Sequence, residues 1–357
     1  MTTLPLDHPA VNAHLAGKHA IKIGTVGIDT NLLLAPIAGY CDLAFRLVAR
    51  GCGGVGLACT DLLNPEGILR ESRRSMVLAA TNDYDRPLAM QLYGSDPDRL
   101  AEAGRWAEDH GATIVDLNMG CPVDKVTKRD GGSKLLCDPD RTVRIVEGIK
   151  KGLRTAPLTC KMRLGWDDSC IVAPKLAKRL QDIGVAMITI HGRTTEMKFS
   201  GRARLDGIAE VVAAAPHIPV IGNGDLRSVD DAVAMLRHTH CAGLMIGRGA
   251  LARPWLFNEI WQYLTTGTRL PEPPITFKTA LLRRHFGLLM EERGERVAVL
   301  EFRRRISWYA KFMHPCDMLS QPMRLMGSAS EFYRLVDEFE AWRGAQSELP
   351  TVSMLSQ

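Results

Sequence analysis

Residues 114–122 read IVDLNMGCP. The run Ile114–Asn118 is too short for a helix and mostly apolar on both faces, as expected of a strand buried in a parallel sheet. Gly120 and Pro122 end it, with Cys121 between them. A long connection, Gly120–Asp138, is polar, basic and glycine-bearing; the amphipathic stretch Pro139–Leu153 follows, and then a second apolar run, Leu158–Met162. Strand, loop, helix and strand make one β–α unit.

The same unit recurs in both directions. Apolar runs lie at Leu32–Pro36, Val55–Cys59, Leu88–Leu92, Ala186–Ile190, Ile218–Ile221 and Gly243–Ile246, separated by helical patterns such as Pro97–His110, Val172–Ile183 and Val229–Arg237. Pro97 and Pro139 stand where a first-turn proline is tolerated. Eight strands in series, without GxGxxG after the first, predict an α/β fold: a closed (β/α)₈ TIM barrel rather than an open doubly wound sheet. A chain of 357 residues with 46% apolar composition accommodates such a barrel and one further module.

Residues 1–30 read as a lead-in, with a hairpin at Ile21–Ile28 closing the barrel bottom. The barrel is expected over 31–265. Pro271, Pro273 and Pro274 mark a linker. Beyond it Phe277–Glu292, Arg296–Met313 and Ser328–Arg343 are helical patterns, so 275–350 reads as a C-terminal helical bundle domain. No apolar run reaches the ~20 residues of a membrane helix, and no signal peptide pattern opens the chain; a cytoplasmic protein is expected. The 9 cysteines form no CxxC pair, which speaks against a disulfide framework or a metal site. The net charge of +5 permits a polyanionic partner without requiring one. The sequence sets no oligomeric state.

Barrel enzymes place their chemistry at the C-terminal ends of the strands. Those ends carry Pro36-Ile37-Ala38, Thr60-Asp61, Gln91, Asn118-Met119-Gly120-Cys121, Lys161-Met162-Arg163, His191-Gly192-Arg193, Asn223-Gly224-Asp225 and Gly247-Arg248-Gly249. The last two follow strands seven and eight, the usual phosphate site of this fold, where Arg248 can add a charge-assisted contact. Lys161 can neutralise an electron-rich edge of a reduced flavin, Gln91 can bond another edge, and His191 can reach phosphate or ring. Cys121 sits at a strand's catalytic end rather than inside an apolar pattern. A thiol of near-normal pKa is a serviceable proton donor; a nucleophile needs a partner that lowers its pKa. Lys125, Lys128, Arg129 and Lys134 beyond it suit either a solvated face or a phosphate backbone.

These motifs together resemble the tRNA-dihydrouridine synthases, most closely the bacterial B-type branch, over roughly Leu32 to Phe257. The strings NMGCP (Asn118–Pro122) and HGRT (His191–Thr194) carry most of the likeness. The resemblance implies FMN-dependent reduction of the C5=C6 bond of uridine in tRNA, with NADPH as reductant. It implies that Cys121 is the general acid at C5. FMN would be held by Pro36, Ile37, Ala38, Gln91, Lys161, His191, Asn223, Gly224, Asp225, Gly247 and Arg248. Asn118, Lys125, Arg129, Arg193 and Arg303 are the residues expected on the substrate. A base reduced by a flavin must leave its stack. Arg283, Arg284, His285, Arg303, Arg304 and Arg305, with Trp308 and Tyr309, are the expected RNA grip of the helical domain. The alternatives are a small-molecule FMN-barrel oxidoreductase, a synthase acting on ribosomal RNA, and a non-catalytic RNA-binding barrel, against which the presence of Cys121, Lys161 and His191 speaks. Departures from the family pattern fall at Thr60-Asp61, at Lys198–Asp206 and at His314–Met326.

Overall fold

The computed structural model describes residues 20–128 and 130–347. A two-stranded antiparallel hairpin, β1 (Ile21–Ile23) and β2 (Val26–Ile28), precedes eight parallel strands: β3 (Leu32–Leu34), β4 (Leu57–Cys59), β5 (Leu88–Leu92), β6 (Ile114–Met119), β7 (Leu158–Arg163), β8 (Met187–His191), β9 (Val220–Asn223) and β10 (Gly243–Ile246). The strands form one closed barrel, sealed where β10 pairs with β3 through Leu244 opposite Leu32. This is the (β/α)₈ architecture that the repeated units predict. All residues of β5 and β6 are buried, because helices cover the outer face and side chains fill the inside.

Ile23 and Ile28 pack with Leu57, Ile114 and Met187, the first residues of β4, β6 and β8. The hairpin therefore stops the N-terminal end of the barrel and leaves the C-terminal ends for chemistry. The helices Pro97–Asp109 and Pro139–Gly152 both start on a proline after a capping aspartate. Asp96 accepts from the amides of Asp98 and Arg99 at 3.0 and 3.1 Å, and Asp138 from that of Arg141 at 2.9 Å. Arg46, with no exposed surface, donates to the Cys41 carbonyl at 2.8 Å and is ion-paired to buried Asp85, also at 2.8 Å. That pair fixes the loop that follows β3.

Strands β6, β7 and β8 run to Met119, Arg163 and His191, past their apolar runs. The ladder continues because Met119 pairs with Met162 and Arg163 with His191; these polar ends are sheltered by the loops above them. The described residues divide into two compact units, those up to 250 with 254–270, and 251–253 with those from 271 to 347. The first holds the barrel and the helix Leu256–Thr266. The second is helical: Ile275–Arg293, Glu295–Tyr309, Asp317–Met323 and Ala329–Ser347. Its core is aromatic, with Phe286 stacked on Phe332 at 3.9 Å and both edge-on to Phe302. Among the described residues no helix is long and apolar enough to cross a membrane, and no group of His, Cys, Asp and Glu could hold a metal.

Candidate active site

A buried polar chain begins inside the barrel and ends at Cys121. Thr159 on β7 donates to Asp116 Oδ1 at 2.5 Å, and Gln91 on β5 donates through Nε2 to Asp116 Oδ2 at 2.6 Å. Asn118 donates to Gln91 Oε1 at 2.8 Å. The Asn118 Oδ1 then accepts from the amides of Gly120 and Cys121 at 3.3 and 3.0 Å. From the other side, the Cys121 carbonyl accepts from the amide and hydroxyl of Ser133 at 3.0 and 3.1 Å. Gly132 makes this closure possible. It sits at φ +61°, and a Cβ there would lie 2.6 Å from the Cys121 oxygen. The backbone of Cys121 is thus held on both sides.

The thiol itself is half-buried. Burial pushes its pKa up, against an amide bond from Val123 and the charges of Arg163 and Lys161, which pull it down. The group is therefore a protonated thiol at neutral pH. That suits a proton donor and argues against a thiolate nucleophile.

Opposite in character is the basic end of β7 to β10. Lys161 Nζ donates to Asn223 Oδ1 at 3.0 Å, and Asn223 Nδ2 donates to the Met245 carbonyl at 2.7 Å. Asp225 takes Arg193 at 2.6 Å and the Ala203 amide at 2.8 Å through Oδ2, and Arg248 at 3.4 Å through Oδ1. His191 is buried, and its Nε2 lies 3.2 Å from the Arg193 guanidinium. Since guanidinium only donates, Nε2 accepts and the ring proton is assigned to Nδ1. Burial, then Lys161, Arg163, Arg193 and Arg248, hold the His191 pKa well below the usual range, so the ring is neutral near pH 7. Burial, more than the neighbouring Arg163, brings the Lys161 pKa down to about 8. Gly224, at φ +130°, lets the backbone pack closely on Ala203 and His191: a Cβ there would meet Ala203 Cβ at 2.7 Å and His191 Cδ2 at 3.1 Å.

Arg163 joins the two halves. It donates to the carbonyls of Gly120 at 2.8 Å, Thr194 at 2.7 Å and Lys198 at 2.8 Å. Burial and the nearby Arg193 lower its pKa to about 10. Phe199, 57% exposed, places its ring 5.5 Å from the Arg163 guanidinium and 5.0 Å from that of Arg248. Asp61, at the end of β4, is buried and accepts from the amides of Gly39 and Leu62, both at 2.6 Å.

The structure gathers Cys121, Lys161, His191, Asn223, Gly224, Asp225 and Arg248 at the strand ends, with Pro36 and Ile37 half-buried and Ala38 exposed there. Four of the expected contact residues are bonded within the protein. Gln91 has no exposed surface; its amide bonds Asp116 and Asn118. Asn118, 5% exposed, holds the amides of Gly120 and Cys121. Arg193, 1% exposed, is committed to Asp225, His191 and the carbonyls of Ser200 and Gly201. Arg303, in the helical unit, donates to the carbonyls of Leu325 and Met326. Lys125's side chain and Arg129 lie outside the described residues.

Of the expected RNA grip, Arg284 is exposed, while others are bonded within the helical unit. Arg283 pairs with Asp337 at 2.6 Å and Glu340 at 2.7 Å, Arg304 with Glu301 at 2.6 Å, and Arg305 lies buried 3.7 Å from Glu301. His285 and Tyr309 are buried and bonded to each other at 2.9 Å. Asp116, Thr159 and Arg163 were not singled out from sequence. A lone aspartate inside the apolar run of β6 was the available signal for the first.

The fit to a phosphorylated flavin follows from the donor set. Asp225 neutralises part of the Arg193 and Arg248 charge, while Arg163 donates to carbonyls alone and Lys161 to the Asn223 amide oxygen. The surplus cation charge suits an anionic cofactor.

The profile of the family described as "Dihydrouridine synthase (Dus)" matches residues 33–340. A protein of Rickettsia prowazekii named "Probable tRNA-dihydrouridine synthase" is 36% identical over 324 residues, 88% of this chain and 98% of its own length. A "tRNA-dihydrouridine synthase B" of Xanthomonas campestris pv. campestris is 38% identical over 291 residues, 82% of this chain and 87% of its own. Among solved structures, an amine oxidase acting on 6-hydroxypseudooxynicotine from Pseudomonas geniculata superposes with TM-score 0.55 at 14% identity, over 77% of this chain and 53% of that one. A histamine dehydrogenase from Rhizobium does so with TM-score 0.55 at 12% identity, over 94% and 65%. Those two likenesses concern the fold alone. With the profile spanning barrel and helical unit, and B-type relatives matching over most of their length, the chain belongs to the dihydrouridine synthase family.

Proposed function

We propose that the chain reduces the C5=C6 bond of uridine in tRNA to 5,6-dihydrouridine, in the cytoplasm, with FMN as bound cofactor and NADPH as reductant. The observation that carries this reading is the presence, at the C-terminal ends of the same barrel's strands, of a fixed, protonated thiol and a cluster of cations from Lys161, Arg163, Arg193 and Arg248. Lys161, His191, Asn223, Gly224, Asp225, Gly247 and Arg248 would hold FMN, with Pro36, Ile37 and Ala38 against its ring. When bound and reduced, that group supplies hydride at C6 of the pyrimidine.

The chain's own residues do the rest. Cys121 gives its proton to C5 as negative charge develops there. Asn118, backed by Gln91 and Asp116, keeps the Cys121 backbone in place, so little freedom is lost in reaching the donating geometry. Neutral His191 adds no charge to a pocket that already holds several cations. A target uracil enters flipped from its stack.

The pH dependence of cofactor affinity follows from Lys161. Its ammonium is the anion-binding form. Binding is strongest below the pKa of about 8 and weakens as pH rises through it, so a tenfold weaker Kd per unit is approached above it. Fluorescence titration of the apoprotein with FMN between pH 6.5 and 9.5 measures this; a flat profile would assign the charge to another group. The activity is tested by incubating the purified protein with FMN, NADPH and unmodified tRNA and mapping dihydrouridine by mass spectrometry. Absence of product, with flavin bound and reducible, would sink the reading.

A further inference from the structure

Asp61, just past the end of β4, is 6% exposed and has no ion-pair partner among the described residues. A buried carboxylate without a cation is costly. Two backbone amides hold this one: Oδ2 accepts from Gly39 and Oδ1 from Leu62, both at 2.6 Å. Its own base is rigid. The Thr60 amide donates to the Ala89 carbonyl at 3.0 Å, the Thr60 hydroxyl oxygen accepts from the Gln91 amide at 3.1 Å, and the Leu63 amide donates to the Gln91 carbonyl at 2.8 Å. Asp61 is thereby tied to β5.

The turn that it reaches is not held by packing. Pro36 and Ile37 are half-buried, and Ala38 and Gly39 are exposed. Gly39 sits at φ +77°, a left-handed backbone that a side chain would strain. The amides of Tyr40 and Cys41 close the turn on the Ile37 carbonyl at 2.9 and 3.0 Å, and the Cys41 thiol donates to the Cys59 carbonyl at 3.0 Å. Those bonds fasten its base; the Asp61 carboxylate holds its tip at Gly39. The same carboxylate is a fixed charge beside two thiols. Burial raises the pKa values of Cys41 and Cys121, and Asp61 adds to the rise at both, against Arg46 at the first and Arg163 and Lys161 at the second.

We propose that Asp61 is a positioning residue with two tasks: it fixes the Ile37–Gly39 turn against which a flavin ring would rest, and it sets a negative charge close enough to act on Cys121. The proposal rests on the flavin-dependent function proposed above. A carboxylate is needed because both oxygens accept from N–H groups. Asparagine has one acceptor, and its NH₂ would face an amide donor. Asp61→Asn therefore loses one bond and the charge with no change of size. Asp61→Glu keeps the charge, but its extra methylene displaces the carboxylate.

The test uses the full-length protein stripped of flavin. FMN affinity is measured by fluorescence titration, and the pH profile of Cys121 alkylation by iodoacetamide is followed on the Cys121 peptide by mass spectrometry. Both variants are expected to bind FMN about 3- to 10-fold more weakly, the order of one lost hydrogen bond. Only Asp61→Asn is expected to move the alkylation midpoint, by about half a unit to lower pH, with the high-pH plateau rate unchanged, since loss of a nearby negative charge favours the thiolate. No shift in Asp61→Asn, an equal shift in both variants, or a faster plateau overturns the electrostatic task. Wild-type FMN affinity in both variants overturns the positioning of the turn. Thermal melting checks folding. If Asp61→Asn does not fold, the FMN affinity of Asp61→Glu decides; if neither folds, Asp61 is a stability residue and the proposal falls. Failure of the wild type to bind FMN overturns the flavin-dependent reading itself.

Discussion

Cys121→Ala is expected to lower the rate of dihydrouridine formation by about 10²- to 10⁴-fold, the usual worth of a positioned general acid, while the protein still binds FMN and NADPH still reduces it. The separation matters, because the thiol belongs to the loop after β6, whereas the cations that would hold the flavin stand at and after the ends of β7, β8 and β10. Two readouts are needed: single-turnover formation of dihydrouridine, and bleaching of the flavin absorbance by NADPH. Undiminished turnover would move the proton donor to another group, and loss of flavin binding would make Cys121 a structural residue. The raised pKa supplies an independent check. Iodoacetamide reacts with the thiolate, so alkylation of Cys121 is expected to be slow at pH 7 and to accelerate with pH beyond the point at which a free cysteine levels off.

Cys121 also shows how far the sequence could be read. Its placement after an apolar run and between Gly120 and Pro122 was enough to put it at a strand's catalytic end. The same logic located Lys161, His191 and the glycine loops, because strand ends in a barrel are set by the register of the apolar runs. What the sequence could not carry was the partner of each polar side chain. Gln91, Asn118 and Arg193 look like ligand contacts because they stand at strand ends. Each is also bonded to a residue far along the chain: Gln91 to Asp116, Asn118 to Gln91 and Arg193 to Asp225. Burial forces such pairing, since an unpartnered polar group costs ~1–3 kcal/mol. The basic helices fail in the same way. Arg283 and Arg304 look like an RNA grip until Asp337, Glu340 and Glu301 are found opposite them.

Arg163→Met is expected to reduce turnover about 10²-fold, the order of loss that a misplacement of ~1 Å at a reacting group produces, although Arg163 is 2% exposed and has its donors turned toward the protein. Its three acceptors belong to two loops: the Gly120 carbonyl precedes the thiol, and the Thr194 and Lys198 carbonyls belong to the segment that carries Phe199. A buried guanidinium is normally matched by a carboxylate. Here carbonyls alone receive it, and its pKa of about 10 still leaves it charged at neutral pH. Methionine matches the stem but orphans three carbonyls, so both loops are released together; Arg163→Lys can satisfy one carbonyl and is expected to lie between. A purely structural role would lower the melting temperature and leave the thiol chemistry alone. Arg163 also pulls the Cys121 pKa down. Removing that cation therefore raises the thiol pKa, and the pH profile of Cys121 alkylation shifts to higher pH. A drop in turnover without that shift would reduce Arg163 to a scaffold residue. The shift together with the drop in turnover would make it the group that sets both the position and the acidity of the proton donor.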